Sequence, residues 1–343
     1  MNRASRLFDE LYVRNLFRQE ILPKYSDFVD VGKIAIKPYK KLIWETTYHV
    51  VIEYKTVFIT REKKKRQLSI ICSAHSNEPR LNFYEGMQFL WNKGFGNGYY
   101  SIPRPLFYSE YFNGLFYRAA KGNNLYTYIK TNDRQEIESI IPKAAVWFAK
   151  LHRLPAADVK NFNAKNSRIA TVLPGLEHIL LRVQHDYPNL HNIFSELYKV
   201  INNNEKYFFN STDKRWLIHG DAHPENIIRM SRRKIAVIDF SDLCIADFAR
   251  DLGCFIQQLG YMSNRKIGDR DYIKKIQQLF LDSYFKASKY SLDDNLQFRI
   301  DNYYNWTTMR TATHFLIKDG PEPERALPLI KEVADRLKIN FSF

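Results

Sequence analysis

The stretch Leu217–Gly253, LIHGDAHPENIIRMSRRKIAVIDFSDLCIADFARDLG, limits the folds open to this chain more than any other. It reads as two apolar strands, Ile227–Met230 and Ile235–Ile238, joined by the polar turn Ser231–Lys234. A hairpin brings the residues before its first strand near those after its second. The pattern therefore predicts that Asp221, Asn226 and Asp239 converge. Two carboxylates and an amide oxygen suit a hard, oxygen-preferring cation such as Mg2+. One carboxylate could instead stay free as a proton acceptor. A polar hairpin end with helix-capping aspartates would not demand so many specific residue types at once.

The 343 residues suffice for one large or two medium domains with a substantial core. The mean hydropathy is −0.43, and no apolar run approaches the ~18 residues of a membrane helix. No membrane partner is expected. The segment MNRASRLFDELYVRN has scattered charges and no continuous apolar run, which argues against a secretory leader. Cys72, Cys244 and Cys254 form no CxxC pair and sit in apolar surroundings, so they read as reduced thiols of a cytoplasmic protein with no zinc site. The net charge of +15 admits anionic partners, but no nucleic-acid-binding module accompanies it, and nucleic acid is not an expected partner. The basic run Arg61–Arg66 reads as a solvated turn between strands.

Residues 4–22 place Leu7, Phe8, Leu11, Tyr12 and Phe17 at helical spacing, ending at Pro23. Between Lys41 and Ser73, TTYHVVIEY, KTVFIT and QLSIICS predict antiparallel strands. Leu81–Lys93 reads as a helix broken by GFGNG. Residues 136–153 form an amphipathic helix with Ile141, Ala145, Phe148, Ala149 and His152 on one stripe. On that stripe His152 reads as a core or capping histidine. Further helical periods over 174–209, Asp251–Tyr261, Ile273–Tyr284 and Leu296–Ile317 make the chain after about residue 119 mainly helical.

HGDAHPEN, VIDFSD and ADFARDLG, in that order, resemble the phosphotransferase family of the aminoglycoside and choline kinases. The family pattern runs HGD-x-x-x-x-N, then IDF or IDW, then D-x-x-x-D-L, and FAKLHRLP resembles the helix preceding it. The resemblance implies an α+β, bilobal, protein-kinase-like fold. It places a small N-lobe with an antiparallel sheet at residues 1–117, a hinge near 116–120, and a larger, mainly helical C-lobe at 118–343. It implies ATP or GTP and Mg2+ as cofactors and a small-molecule hydroxyl acceptor, aminoglycoside-like, choline-like or sugar-like. By the same resemblance Asp221 is the catalytic base, and Asn226 and Asp239 hold the metal. Glu85 is the family's helix glutamate, and backbone groups near Tyr117, Arg118 and Ala119 meet the adenine edge. His219 and Asp251 support the catalytic loop, Asp242 touches metal or substrate or orders the loop, and Asp247 is structural.

The chain departs from the family in one half of the site. Kinases of this fold carry a lysine on the third strand that pairs with the helix glutamate and binds the α- and β-phosphates. QLSIICSAHS offers Cys72 or Ser73 there, and TYHVVIEYKTVF contains no glycine for a phosphate-covering loop. The alternative reading is thus a kinase-like nucleotide-binding or regulatory protein with weak or no catalysis. Asp293, Asp294, Asp301, Asp319, Glu322 and Glu324 would suit a polycationic acceptor or form an ordinary solvated surface.

Overall fold

A computed structural model describes residues 2–78, 80–155, 157 and 159–340. The fold is α+β, with an antiparallel sheet in the N-terminal part and helices in the C-terminal part. Its strands are β1 (Phe28–Ile43), β2 (Tyr48–Thr60), β3 (Lys65–His75), β4 (Tyr100–Ser101), β5 (Pro105–Ser109), β6 (Gly114–Arg118), β7 (Asn123–Asn124), β8 (Trp216–Ile218), β9 (Ile227–Arg229), β10 (Ile235–Val237) and β11 (Cys244–Ala246). Two compact units result: residues 1–122 with 228–241, and residues 123–227 with 242–343.

The first unit is built on an antiparallel sheet ordered β1-β2-β3-β6-β5. The even-numbered residues Val50, Ile52, Tyr54, Ile70, Cys72 and Ala74 enter a core shared with Leu7, Val13 and Phe17. The helix expected over 4–22 is interrupted at Asp9, whose carboxylate accepts from the Leu11 and Tyr12 N–H groups and starts α1 (Glu10–Glu20). TTYHVVIEY and KTVFIT form one strand, β2, because no turn residue separates them. Reading the residues does not reveal β1. Only Val31 and Ile34 in it are buried, and Pro38 lies beside a register irregularity. As an edge strand, β1 tolerates both. The opposite face of the sheet carries Tyr117, whose ring centroid lies 6.3 Å from that of Phe83 on α2 (Leu81–Leu90). β4 pairs in parallel with β10, and the Ser101 hydroxyl donates to the Ile235 carbonyl at 3.0 Å. These bonds attach residues 228–241 to the first unit. The first unit runs to Gly122 and takes in the later hairpin.

The second unit is helical: α3 (Leu125–Lys130), α4 (Arg134–His152), α5 (Leu176–Asp186), α6 (Pro188–Ser211), α7 (Ala249–Lys266), α8 (Arg270–Ser288), α9 (Asp294–Ile317) and α10 (Pro323–Leu337). Helix starts follow side-chain chemistry. Asp133, Asp269 and Asp293 each accept from the backbone N–H three residues on, at the heads of α4, α8 and α9. Asp133 and Glu136 have the spacing of a capping box. The stripe Ile141, Ala145, Phe148, Ala149 and His152 is buried, and α4 packs on α8. α10 is absent from the sequence reading. Pro323 and Pro328 obscure its period, yet Leu329, Ile330 and Val333 are buried and the helix packs on α9. β8 and β11 pair antiparallel beside these helices. No helix among the described residues is long and apolar enough to cross a membrane.

Glu205 of α6 is buried, accepting from the Ile169 N–H and the Tyr303 hydroxyl. Burial pushes its carboxyl up to about 7, against the opposing charge of Arg250. A carboxyl raised above its unfolded value of about 4.3 contributes stability below that value and loses it as pH rises through the folded one. Wild-type stability should therefore fall between pH 5 and pH 8, and Glu205→Gln should flatten the fall. Equal slopes in urea titrations of the two proteins would refute this.

Candidate active site

β8 ends in His219-Gly220-Asp221, and this turn is held by its backbone. Asp251, in the first turn of α7, accepts from the N–H groups of His219 at 2.7 Å and Gly220 at 2.9 Å. His152 Nε2 lies 3.0 Å from the same carboxylate, with its Nδ1 2.8 Å from the Tyr284 hydroxyl. Burial works to raise the Asp251 pKa, but the hydrogen bond and charge of His152, with His219, hold it below the usual carboxylate range. Gly220 has φ +84°, and a Cβ there would lie 2.3 Å from the Asp242 carbonyl oxygen. Only glycine meets both conditions. His219 is buried, with its ring against Trp147 and Phe148.

Asp221 emerges from this turn with its side chain 40% exposed, and its Oδ2 lies 3.3 Å from His223 Nε2. Desolvation pushes its pKa up. The bond to His223, then the charges of His223, Arg310 and His219, outweigh that and hold the carboxyl below the usual range. Asn226, buried, donates through Nδ2 to the Asp221 carbonyl at 2.9 Å and weakly to its Oδ2. Every side-chain hydrogen bond of Asn226 among the described residues runs through Nδ2, which leaves Oδ1 as an acceptor for a cation. Asp242 is half-buried beside Gly220. Asp247 is buried and paired with Arg299 at 2.6 Å. The turn opens onto a cavity of about 590 Å3, bounded by α7, α9 and the start of α10.

The first unit supplies the other candidates. Asp239 follows β10 in the left-handed region, φ +64°, a strained placement that aspartate tolerates better than most residues. Its Oδ1 accepts from the Ser241 hydroxyl at 2.9 Å, and Oδ2 has no hydrogen bond among the described residues. Burial, and after it the Asp239 charge, push the Tyr117 phenol up. Phe240 packs on Phe83, fixing the Asp239 loop against α2. Glu85 is half-buried on the same helix.

Strand pairing takes up two amides of the stretch expected as a hinge. The N–H groups of Arg118 and Ala119 are already used, donating to Arg104 and Ser69 at 2.8 Å each, because strand pairing continues past β6. The next amide, that of Ala120, makes no backbone hydrogen bond among the described residues. Gly122 closes the hinge. With φ +146°, its Cβ would meet the Arg229 carbonyl oxygen at 1.9 Å. The third strand also resolves one ambiguity. Cys72 lies in the core, while Ser73 shares the Tyr117 face, opposite Val51 and Leu115. The β1–β2 turn, Trp44–Thr47, contains no glycine. Lys40 on β1 pairs with Val51, and its charge acts on His49 and His75. Lys40 thus lies on β1, the strand that the residues alone did not reveal.

Among the described residues no three His, Cys, Asp or Glu side chains converge as an all-protein metal cage.

The model of the phosphotransferase enzyme family matches residues 52–287. A comparison with curated protein sequences finds no match. Solved structures with the same fold include the Plasmodium vivax ethanolamine kinase, at 15% identity and TM-score 0.53, covering 88% of this chain and 81% of that one. The ternary complex of streptomycin, ATP and APH(2'')-IIa aligns at 14% identity and TM-score 0.55, covering 95% and 96%. A choline/ethanolamine kinase family protein from Mesorhizobium loti aligns at 12% identity and TM-score 0.52, covering 93% and 92%.

Asp251→Asn should cost about 3 kcal/mol in urea denaturation at pH 7, the scale of breaking a buried charged pair. Because its folded pKa is depressed, the Asp251 contribution is present above about pH 4 and lost as pH falls through the folded value. The variant should accordingly lose less stability than wild type on acidification. Unchanged stability and an unchanged acid slope would rule out this role.

Proposed function

The chain belongs to the phosphotransferase enzyme family, and we propose that it moves the γ-phosphate of ATP or GTP to a hydroxyl of a small molecule. The observation that carries the reading is Asp221, exposed at a cavity mouth and held deprotonated by His223 and Arg310. The acceptor oxygen forms a bond to the γ-phosphorus as the bond to the β–γ bridging oxygen breaks. The nucleoside diphosphate leaves with that electron pair, and the hydroxyl proton passes to Asp221. Asn226 Oδ1 and Asp239 are the assigned Mg2+ ligands, and the ion, when bound, neutralises charge between the β- and γ-phosphates. Asn226 also orients Asp221 through its carbonyl. For the adenine edge, the assignment near Tyr117, Arg118 and Ala119 moves to the Ala120 N–H as donor.

The second reading, a nucleotide-binding protein with little turnover, draws on Ser73 in place of a lysine and on the glycine-free β1–β2 turn. Lys40 is the cation we assign to the phosphates in either case.

Asp221→Asn should lower kcat by about 10²–10⁴ with little change in nucleotide KM, measured as label transfer from γ-labelled nucleotide in a metabolite and antibiotic library. A variant as active as wild type would sink the assignment of the base. In calorimetry, nucleotide binding should strengthen with Mg2+, less so in Asp239→Asn, and weaken several-fold in Lys40→Ala. Metal-independent binding with no transfer to any acceptor would favour the second reading.

A further inference from the structure

The cavity beside Asp221 lies entirely within the second unit, and its wall is cationic. Arg265 comes from α7, Arg310 from α9, and Lys318 and Arg325 from the segment joining α9 to α10 and from α10 itself. The carboxylates lining it are Asp221 and Glu225. Lys318 and Arg325 share Glu322. Arg265 and Arg310 enter no ion pair among the described residues, although the charge of Arg310 acts on Asp221. Arg310 is braced rather than neutralised, its guanidinium 5.0 Å from the centroid of the buried Trp306 ring. His314, one turn further along α9, is held below its usual range by desolvation and then by Lys318 and Arg325.

The acidic residues that a polycation would need are engaged elsewhere. Asp293 caps α9, Asp301 pairs with Arg336 at 2.7 Å, and Glu322 holds the Lys318–Arg325 pair. Asp294, Asp319 and Glu324 do not line the cavity. Like charges gathered in a partly enclosed space repel one another and lower the local potential barrier for an anion. A cationic acceptor would meet that repulsion before its hydroxyl reached Asp221.

We propose that the acceptor is an anion, a hydroxylated small molecule whose carboxylate or phosphate group docks on Arg310 and Arg265 while its hydroxyl faces Asp221. The assignment rests on the phosphotransfer reading of Asp221 for the hydroxyl end only. The anion end stands on the cavity's own charges. Guanidinium groups suit both oxyanions through paired N–H donors.

Calorimetry on the full chain tests the anion end, with glucose 6-phosphate and gluconate as anionic probes and kanamycin and choline as cationic ones. An anionic probe should bind, and Arg310→Ala should weaken it about ten- to a hundredfold while leaving nucleotide affinity unchanged. Arg265→Ala, at an exposed position where folding is not at stake, should weaken it less. Which anion binds decides between the phosphate and carboxylate sources. The proposal is overturned if the cationic probes bind and the anions do not, if both arginine variants bind anions like wild type, or if Arg310→Ala weakens nucleotide alone. Transfer assays with the same probes separate the two levels. Phosphorylation of a cation refutes the anionic acceptor and keeps the phosphotransferase. Arginine-dependent anion binding without transfer to any acceptor keeps the anion site and removes the kinase reading.

Discussion

A buried carboxylate at the head of α7 is the interaction on which the candidate site depends. Asp251 accepts from two consecutive backbone N–H groups, those of His219 and Gly220, and from the His152 ring. Without it, two buried amides and a buried imidazole would lose their partner, a cost larger than the net worth of the bonds themselves. Through these contacts α4, β8 and α7 share one anchor, and the direction in which Asp221 leaves the turn follows from it. Gly220 lets the turn pass so close to Asp242 that a Cβ there would lie 2.3 Å from its carbonyl oxygen. The partly exposed Asp221 carboxylate therefore leaves a turn whose own amides are bonded in the interior.

Charge is distributed unevenly through this architecture. The sheet face that bears Tyr117 presents Ser73 where kinases of this fold place a lysine, and the register brings Lys40 onto the adjoining strands. In the second unit, cations crowd the cavity beside Asp221, while Asp293 is occupied in a helix cap and Asp301 in a pair with Arg336. The same composition, strongly basic overall, thus has a local meaning that a net charge of +15 does not convey.

Much of this was legible before any coordinates. HGDAHPEN, VIDFSD and ADFARDLG carried both the family and the candidate base, and the helical stripe through His152 was read correctly as core. Helices α4, α8 and α9 announced themselves through their apolar period, while the aspartates that cap them emerged from the structure. Two elements escaped. β1 is a long edge strand whose outer half is polar, so its alternation is weak. α10 carries two prolines that mask an amphipathic period. Beyond β6, pairing of the Ala119 amide with Ser69 was likewise not visible in the residues alone.

By itself the sequence determined which chemical groups are present and how they are spaced: a carboxylate, an amide and a second carboxylate around one hairpin, set in a chain that becomes helical after its sheet. Those are local facts, and local spacing is enough to state them. Tertiary structure alone decided which groups meet. Asp221, Arg265, Arg310 and Arg325 are far apart in the chain and share a cavity only because α7, α9 and α10 pack together. Likewise the choice between Cys72 and Ser73 depended on which of them enters the hydrophobic core of the sheet. Long-range packing sets both, and no pattern of neighbouring residues encodes it.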